Sequence, residues 1–336
     1  MFSSQELQKI RQLINNAESE ILILTHYNPD GDAIGSALGM KHFLKKLGKD
    51  ASVIVPNEYP KFLKWLPMSK EIAIAEHREK FTEIAFRKSA LIFCLDFNTA
   101  FRINNLEQKL IQSPAVKILI DHHQQPDEFD FVYSDTTQPA TCQMVYKFID
   151  ALGETDKIDE TIATCLYTGI LTDTGSFRFR NTTSETHRII ADLIDKGAQP
   201  DEIASNVLDS NTPGRIKLLS TVLNSMEYIE EKKTVILSLT REKLKEYSYQ
   251  KGDTDGFVNY GLSVIGVKFV GFFMEDLKQD YIKISFRSKD DFDVNQFARQ
   301  HFNGGGHINA AGGRSELSLR ETVEKFKQIV NETIIN

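Results

Sequence analysis

The segment Val116-Lys117-Ile118-Leu119-Ile120-Asp121-His122-His123 constrains this chain more than any other stretch. A β-branched apolar run reads as a buried strand, and this one hands over directly to residues that titrate or bind metal. The same handover occurs twice more. Ile21-Leu22-Ile23-Leu24-Thr25 runs into His26-Tyr27-Asn28-Pro29-Asp30-Gly31-Asp32, and Ala90-Leu91-Ile92-Phe93-Cys94-Leu95 runs into Asp96. In open α/β sheets ligands sit at the carboxyl ends of the strands. The first half of the chain is therefore expected to be an α/β domain whose parallel sheet brings His and Asp residues to one crevice.

The periodicity around these strands predicts the rest of the order. A helix is expected over 4–18, capped by Ser3 or Ser4, and another running from the small residues Gly35-Ser36-Ala37-Leu38-Gly39 to Leu47, stopped by Gly48. With the strand at 51–55 this makes a βαβ unit. Residues 59–83 read as helix and loop without chemistry. Helices are expected over 139–152 and 158–171, the second running into Leu171-Thr172-Asp173-Thr174-Gly175, a fourth acidic turn. Helices over 184–195, 200–209 and 213–225, uninterrupted by strands, read as a helical connector. Beyond it a smaller α+β domain is expected: a hairpin over 228–240, paired strands over 262–275 and 280–287, and helices over 294–301 and 319–334. The expected division is 1–190, a linker at 191–225, and 226–336.

Composition bounds what such a chain can serve. Its 336 residues, 41% hydrophobic and 26% charged, are ordinary for a soluble two-domain protein. No apolar run approaches the ~20 residues that span a bilayer, and Met1-Phe2-Ser3-Ser4-Gln5-Glu6 has no signal-peptide character. A cytoplasmic protein without membrane partners is expected. Cys94, Cys142 and Cys165 lack CxxC spacing and lie among apolar residues, as small core side chains do in a reducing compartment. A net charge of -7 argues against a sleeve for long duplex nucleic acid but not against a small phosphorylated ligand.

Asp30, Asp32, Asp96, Asp121 and Asp173 would bring five negative charges to one place, where unpaired carboxylates repel strongly. A lone His or an Asp-Gly-Asp turn is ordinarily a solvated loop; several of them at strand ends of one sheet call for divalent metal. Carboxylate and imidazole without thiolate suit Mn²⁺, Mg²⁺ or Fe²⁺ better than structural zinc. More than four candidate ligands point to two ions, and a carboxylate-bridged pair is suited to hydrolysing a phosphoester or phosphoanhydride. In the second half, Gly304-Gly305-Gly306-His307 precedes Ala310-Ala311, read here as a helix start, so that glycine-loop amides would bind a phosphate or carboxylate. Arg287, closing the run Ile282-Lys283-Ile284-Ser285-Phe286, would add a bidentate phosphate contact.

With these motifs together, His26-x3-Asp30-x-Asp32, Asp96, Asp121-His122-His123, Asp173 and Gly304 to Gly312, nearly the whole chain resembles the DHH phosphoesterase superfamily whose second domain is called DHHA1. Its length and layout look most like the nanoRNase/pAp phosphatase (oligoribonuclease) group. The resemblance implies an active site in the interdomain cleft with two manganese ions, one held by His26, Asp30 and Asp96 and one by Asp32, Asp96, His122 and Asp173. It also implies that Asp121 orients a histidine, that His123 faces the scissile phosphate, and that Arg287 and Gly304, Gly305, Gly306 and His307 grip the rest of the substrate. The implied substrates are short single-stranded oligonucleotides or adenosine 3′,5′-bisphosphate (pAp), and a homodimer is among the assemblies such a chain can adopt. Ala140-Thr141-Cys142 departs from the serine-rich helix start expected there, which bears on a minor contact only. A family II pyrophosphatase would lack the glycine-His motif, a RecJ-like exonuclease would add an oligonucleotide-binding domain and a basic track, and a membrane-anchored cyclic-dinucleotide phosphodiesterase would add transmembrane segments. A catalytically silent nucleotide-binding module is the alternative from another class.

Overall fold

The computed structural model describes residues 2–333 and separates into two compact units between Ser210 and Asn211. The first unit runs α1 (Ser4–Asn16), β1 (Ile21–Leu24), α2 (Gly31–Lys46), β2 (Ala51–Val55), β3 (Ala73–Ile74), α3 (Glu79–Lys88), β4 (Leu91–Leu95), α4 (Glu107–Gln112), β5 (Val116–Asp121), β6 (Phe131–Ser134), α5 (Thr141–Ala151), α6 (Glu160–Asp173), α7 (Ser184–Asp195) and α8 (Pro200–Leu208). Its six strands are all parallel in the order β3-β2-β1-β4-β5-β6. From β1 the chain winds outward through β2 to β3, then returns to lay β4 on the other side of β1. The carboxyl ends of β1 and β4 therefore flank the point where the winding reverses, and a crevice opens there. Both faces of the sheet are covered: Ile21, Ile23, Phe93 and Ile120 pack into one cluster, and Leu22, Leu24, Ile92, Cys94 and Leu119 into another. Burial on both sides explains why these strands read as unbroken apolar runs rather than as alternation.

The helix that carries the first acidic turn, α2, is buried from Gly31 to Leu44. Its small residues make this feasible. A Cβ at Gly35 would stand 2.6 Å from the Cys165 carbonyl oxygen, and one at Gly39 would stand 2.7 Å from Leu166 Cδ2, so α2 and α6 cross in close contact. That crossing sets the start of α2 beside the end of α6, where Asp173 lies.

The second unit comprises α9 (Pro213–Asn224), β7 (Glu227–Ile229), β8 (Thr234–Leu239), α10 (Arg241–Glu246), α11 (Phe257–Leu262), β9 (Phe269–Glu275), β10 (Ile282–Ser288), α12 (Val294–His301), β11 (Gly305–His307), β12 (Ala310–Ser315) and α13 (Leu319–Glu332). Its sheet, β11-β12-β10-β9-β8-β7, is antiparallel except for the parallel β8–β9 pair. Phe269, Phe273, Phe286, Phe297, Phe302 and Phe326 form its aromatic core. The helices at 184–195 and 200–208 build the first unit and the one at 213–224 the second.

Three local expectations change. The helix start expected at Ala310-Ala311 is a strand: β12 pairs with β10 on one side and β11 on the other, and Gly312-Gly313 favours that extended ladder over a helix. The strand expected over 262–275 begins only at Phe269, because Phe257–Leu262 is helical and Gly266, at φ +81°, turns the chain. The sheet also gains β3, two residues inside the 59–83 segment expected to be helix and loop, and β6, whose four residues sit between acidic turns; both carry too short a signal to stand out. Helix α13 ends at Glu332, and the Ile334 end of the expected helix lies outside the described residues. No helix among the described residues is long and apolar enough to cross a membrane.

The glycine crossing makes a graded prediction. Gly35→Ala should cost about 1–3 kcal/mol in denaturant unfolding, because it meets fixed backbone, despite a helix-propensity gain of about 1 kcal/mol. Gly39→Ala meets only the Leu166 side chain, which can rotate, and should stay within about 1 kcal/mol of the parent. Equal losses at the two positions would contradict the crossing as described.

Candidate metal centre

Each strand at the switch point delivers its polar residues by a distinct local device. After β1, Asn28 takes a left-handed conformation (φ 59°) and Asn57 clamps it, accepting its N–H at 2.8 Å and donating Nδ2–H to its side-chain oxygen at 2.9 Å. This turns the chain so that Asp30 caps α2, accepting the N–H groups of Asp32 and Ala33 at 3.1 Å each. After β4, Asp96 is itself left-handed (φ 64°), a strained state for a residue with a Cβ, of the kind that collects at functional sites. After β5, the Asp121 carboxylate accepts the His123 backbone N–H at 2.8 Å and His123 Nδ1–H at 2.7 Å, so it fixes the orientation of His123.

The outcome is one cluster. His26 Nε2 lies 3.8 Å from Asp30 Oδ1 and 3.4 Å from Asp96 Oδ2. His122 Nε2 lies 3.5 Å from Asp96 Oδ1, 3.3 Å from Asp173 Oδ2 and 3.8 Å from Asp32 Oδ2. Asp96 thus presents one oxygen to each imidazole. All eight sequence-derived residues, His26, Asp30, Asp32, Asp96, Asp121, His122, His123 and Asp173, meet at this edge of the sheet. Arg287 and His307 belong to the second unit, where both stand opposite Ala310 on adjacent strands. Directly paired residues share a sheet face, so these two side chains leave the sheet on the same side, with only an alanine between them.

The donor set fits divalent cations. His26 Nδ1 lies 2.9 Å from the Tyr27 carbonyl and His122 Nδ1 lies 3.1 Å from the Gln138 carbonyl. A carbonyl only accepts, so each Nδ1 carries the hydrogen and a neutral ring offers the Nε2 lone pair to the carboxylates, the arrangement typical of metal-bound histidine. Two donors each about 2.1 Å from a common ion stand roughly 3.0–3.6 Å apart. The separations here fall at or slightly above that range. His26, Asp30 and Asp96 would hold one ion, and Asp32, Asp96 and His122 with Asp173 a second.

Without cations the charges strain against one another. Burial disfavours the imidazolium of His26, but Asp30 and Asp96 outweigh it and carry its pKa up to about 10. His122 is raised well above the usual histidine range in the same way, against burial, by Asp96, Asp173 and Asp32. Burial and the charges of Asp30 and Asp96 lift Asp173 to about 7, and burial lifts Asp121 to about 6. Asp96, against its burial, is held well below the carboxylate range by His122 and His26. His123 is pushed well down by burial and by the charges of Arg102 and His122.

Sequence reasoning underrated the start of α5. The N–H groups of Thr141 and Cys142 donate to Asp32 at 2.6 and 2.8 Å, and Thr141 Oγ1–H donates to Asp96 Oδ1 at 3.0 Å. A helix N-terminus therefore supports Asp32, an acid almost wholly withdrawn from water. The contact regarded as minor is a support of two central carboxylates, and threonine performs it with the hydroxyl that a serine would bring. Arg102, Asn57 and Gln138 were also passed over; short polar loop residues have no period by which to be found.

Comparison with known proteins identifies the family of both units. Residues 20–170 match the model for the DHH family, N-terminal domain, and residues 220–336 match the DHHA1 domain. A Thermus thermophilus protein named bifunctional oligoribonuclease and PAP phosphatase NrnA is 32% identical over 98% of this chain and 95% of its own length. The chain belongs to the DHH family of phosphoesterases. A second relative so named, from Bacillus subtilis, is 25% identical over 87% of this chain and 88% of its own. The crystal structure of an exopolyphosphatase-related protein from Bacteroides fragilis superposes with a TM-score of 0.93, at 37% identity, covering 98% of this chain and 96% of that one. The first unit is thus a DHH domain, and the second, with its glycine-His hairpin, a DHHA1 domain.

Two measurements follow. Folding favours protonated His26, a contribution complete below the ordinary 6.5 and lost as pH rises toward about 10. It disfavours ionised Asp121 and Asp173, whose contributions are lost between the ordinary 3.8 and about 6 and 7. The depressed pKa values of Asp30 and Asp96 act only near and below 3.8. His123, held well below the ordinary 6.5, works the other way up to that pH, so the melting temperature of chelated protein should fall most clearly from about pH 7 to pH 9, while the stabilisation by added Mn²⁺ grows; a flat metal increment across that range would contradict the cluster. Thr141→Val should weaken metal binding by about 10–100-fold in a competition titration, the usual cost of losing a hydrogen bond behind a ligand.

Proposed function

We propose that this chain is a manganese-dependent phosphoesterase that hydrolyses oligoribonucleotides of a few residues to mononucleotides and removes the 3′-phosphate of pAp. The observation that carries the reading is the Asp96 carboxylate, with Oδ2 toward His26 and Oδ1 toward His122. A carboxylate so placed would serve two ions, and carboxylate with imidazole and no thiolate suits a hard divalent ion such as Mn²⁺. Two such ions would supply a nucleophile at neutral pH and neutralise charge at the phosphoryl oxygens. The near full-length likeness to the Thermus enzyme supports the choice of substrates.

The protein's own groups do the rest. Asp121 holds His123 by two hydrogen bonds, so Nε2 is the nitrogen that meets the phosphoryl group. Burial and Arg102 keep His123 neutral in the substrate-free site, and the negative charge of a bound phosphate reverses that balance. Nε2 then takes a proton from solvent, Asp121 steadies the resulting imidazolium, and Nε2–H gives that proton to the leaving oxygen, which returns the ring to its neutral form. Arg287 and the Gly304–His307 strand bind the remainder of the substrate. In and just before β11 the glycines allow close backbone approach: a Cβ on Gly304 would fall 1.9 Å from the Gly312 carbonyl oxygen, and one on Gly306 2.4 Å from the Ala310 carbonyl oxygen. The three buried, free cysteines suit a reducing, cytoplasmic setting.

With a net charge of -7, added nucleotides beyond the first few should gain little affinity. Values of kcat/KM for single-stranded RNA of increasing length, measured with Mn²⁺ at two salt concentrations, should plateau within about five nucleotides, with pAp cleaved in the same preparation. A rise continuing past about ten nucleotides, with a growing salt slope, would instead mark a long-strand exonuclease. Asp96→Ala should abolish turnover, whereas His123→Ala should keep the metal and lose roughly 10²–10⁴-fold in rate. Loss of metal from His123→Ala would show that the roles of the two histidines are exchanged.

A further inference from the structure

Between Asp96 and α4 the chain is tied down on two sides. Ala100 N–H donates to Asp127 Oδ2 at 2.8 Å, Asp127 N–H donates to the Asn98 carbonyl at 2.8 Å, and Asn98 Nδ2–H donates to the Gln124 carbonyl at 2.5 Å. These bonds join the turn to the segment that follows His123. On the opposite side, Tyr27 N–H donates to the Arg102 carbonyl at 2.7 Å, which joins it to the residue after His26. The turn is a fixed strap along the rim of the metal centre.

Two adjacent side chains on this strap have no role in the fold. Phe101 is 77% exposed, the most exposed aromatic ring among the described residues. A single exposed apolar side chain is common enough, but this one stands on an ordered strap beside a phosphoester site. Arg102 is half-buried, and its guanidinium makes no hydrogen bond or ion pair among the described residues, although acids crowd the neighbouring site. Its own carbonyl holds Tyr27, the residue after His26, which sets Arg102 at the metal-centre end of the strap, and its charge is felt by His26, Asp121 and His123. Five donors in a planar fork, half withdrawn from water and unused by the protein, match the oxygens of a phosphate.

We propose that Arg102 and Phe101 hold the nucleotide at the metal centre, the guanidinium taking two oxygens of its phosphate and the ring stacking on the base attached to it. The inference rests on the nucleotide phosphoesterase reading above and names where the first domain itself recognises its substrate. Stacking accepts any base, so this rim selects nucleotides as a class over inorganic or sugar phosphates. It adds one cation to a site whose five carboxylates slightly outweigh two divalent ions, which brings the local charge to neutrality and removes the net repulsion of an anionic substrate.

The test uses the full-length, Mn²⁺-loaded protein with diadenylate, two abasic counterparts each lacking one base, and a phosphorothioate diadenylate for binding without turnover. Phe101→Ala should weaken phosphorothioate binding and lower kcat/KM for diadenylate by about 5–100-fold, the size of one stacked base. Phe101→Trp should restore both. On one of the abasic substrates, Phe101→Ala should cost nothing further. Arg102→Gln should raise KM at least about 10-fold on every substrate, and Arg102→Lys should recover only part, since an ammonium cannot bind in bidentate fashion. Metal content and melting temperature should match the parent for all four variants. Unchanged binding by Phe101→Ala and Arg102→Gln, with the parent cleaving diadenylate, would overturn the nucleotide rim and leave the phosphoesterase reading standing. Equal losses by Phe101→Ala on intact and on both abasic substrates would also overturn the stacking. A parent protein that cleaves neither diadenylate nor pAp would instead overturn the reading on which the proposal rests.

Discussion

Mutual repulsion among carboxylates is the constraint on which the rest of this structure depends. Asp32, Asp96 and Asp121 are almost wholly withdrawn from water, and Asp30 and Asp173 complete the group at its edge. Such a cluster is tolerable only if each charge has a dedicated counterpart. Helix α5 presents its first amides to Asp32, His123 presents two N–H groups to Asp121, and Asp96 lies between two imidazoles. What these partners leave uncompensated is the charge that divalent cations supply. The opposing pKa shifts, Asp96 driven down while Asp173 and Asp32 are driven up, are the mark of a site assembled for ions it must bind.

The fold serves that cluster directly. A parallel sheet of order β3-β2-β1-β4-β5-β6 places the ends of β1, β4 and β5 side by side, so the three polar turns become neighbours by topology. The glycine-lined crossing of α2 and α6 then adds a fourth acid from a helix end rather than a strand end. Stability and function meet in this crossing, since the glycines that let the helices touch also set the distance from Asp173 to His122.

The parts legible from sequence were those with strong periodicity or repeated chemistry. Apolar runs ending in His or Asp disclosed three strands and their shared edge, and the approximate helix positions followed from spacing and caps such as the Ser3 or Ser4 expected before α1, of which Ser3 is the cap. The parts that escaped depend on tertiary pairing. Gly304 to Gly313 reads as a loop before a helix because glycine carries no period, and only the pairing of β12 with β10 and β11 makes it a sheet edge. Thr141 and Arg102 act through one hydroxyl and one guanidinium in irregular chain. Their significance lies in what the fold sets beside them.

The most direct test of the account is anomalous diffraction at the manganese edge from crystals grown with Mn²⁺. Two peaks per chain are predicted, one beside His26 with Asp96 Oδ2 and the other beside His122 with Asp96 Oδ1. A single peak, or ions placed where Asp96 touches neither or only one, would contradict the bridged centre from which the proposed chemistry follows.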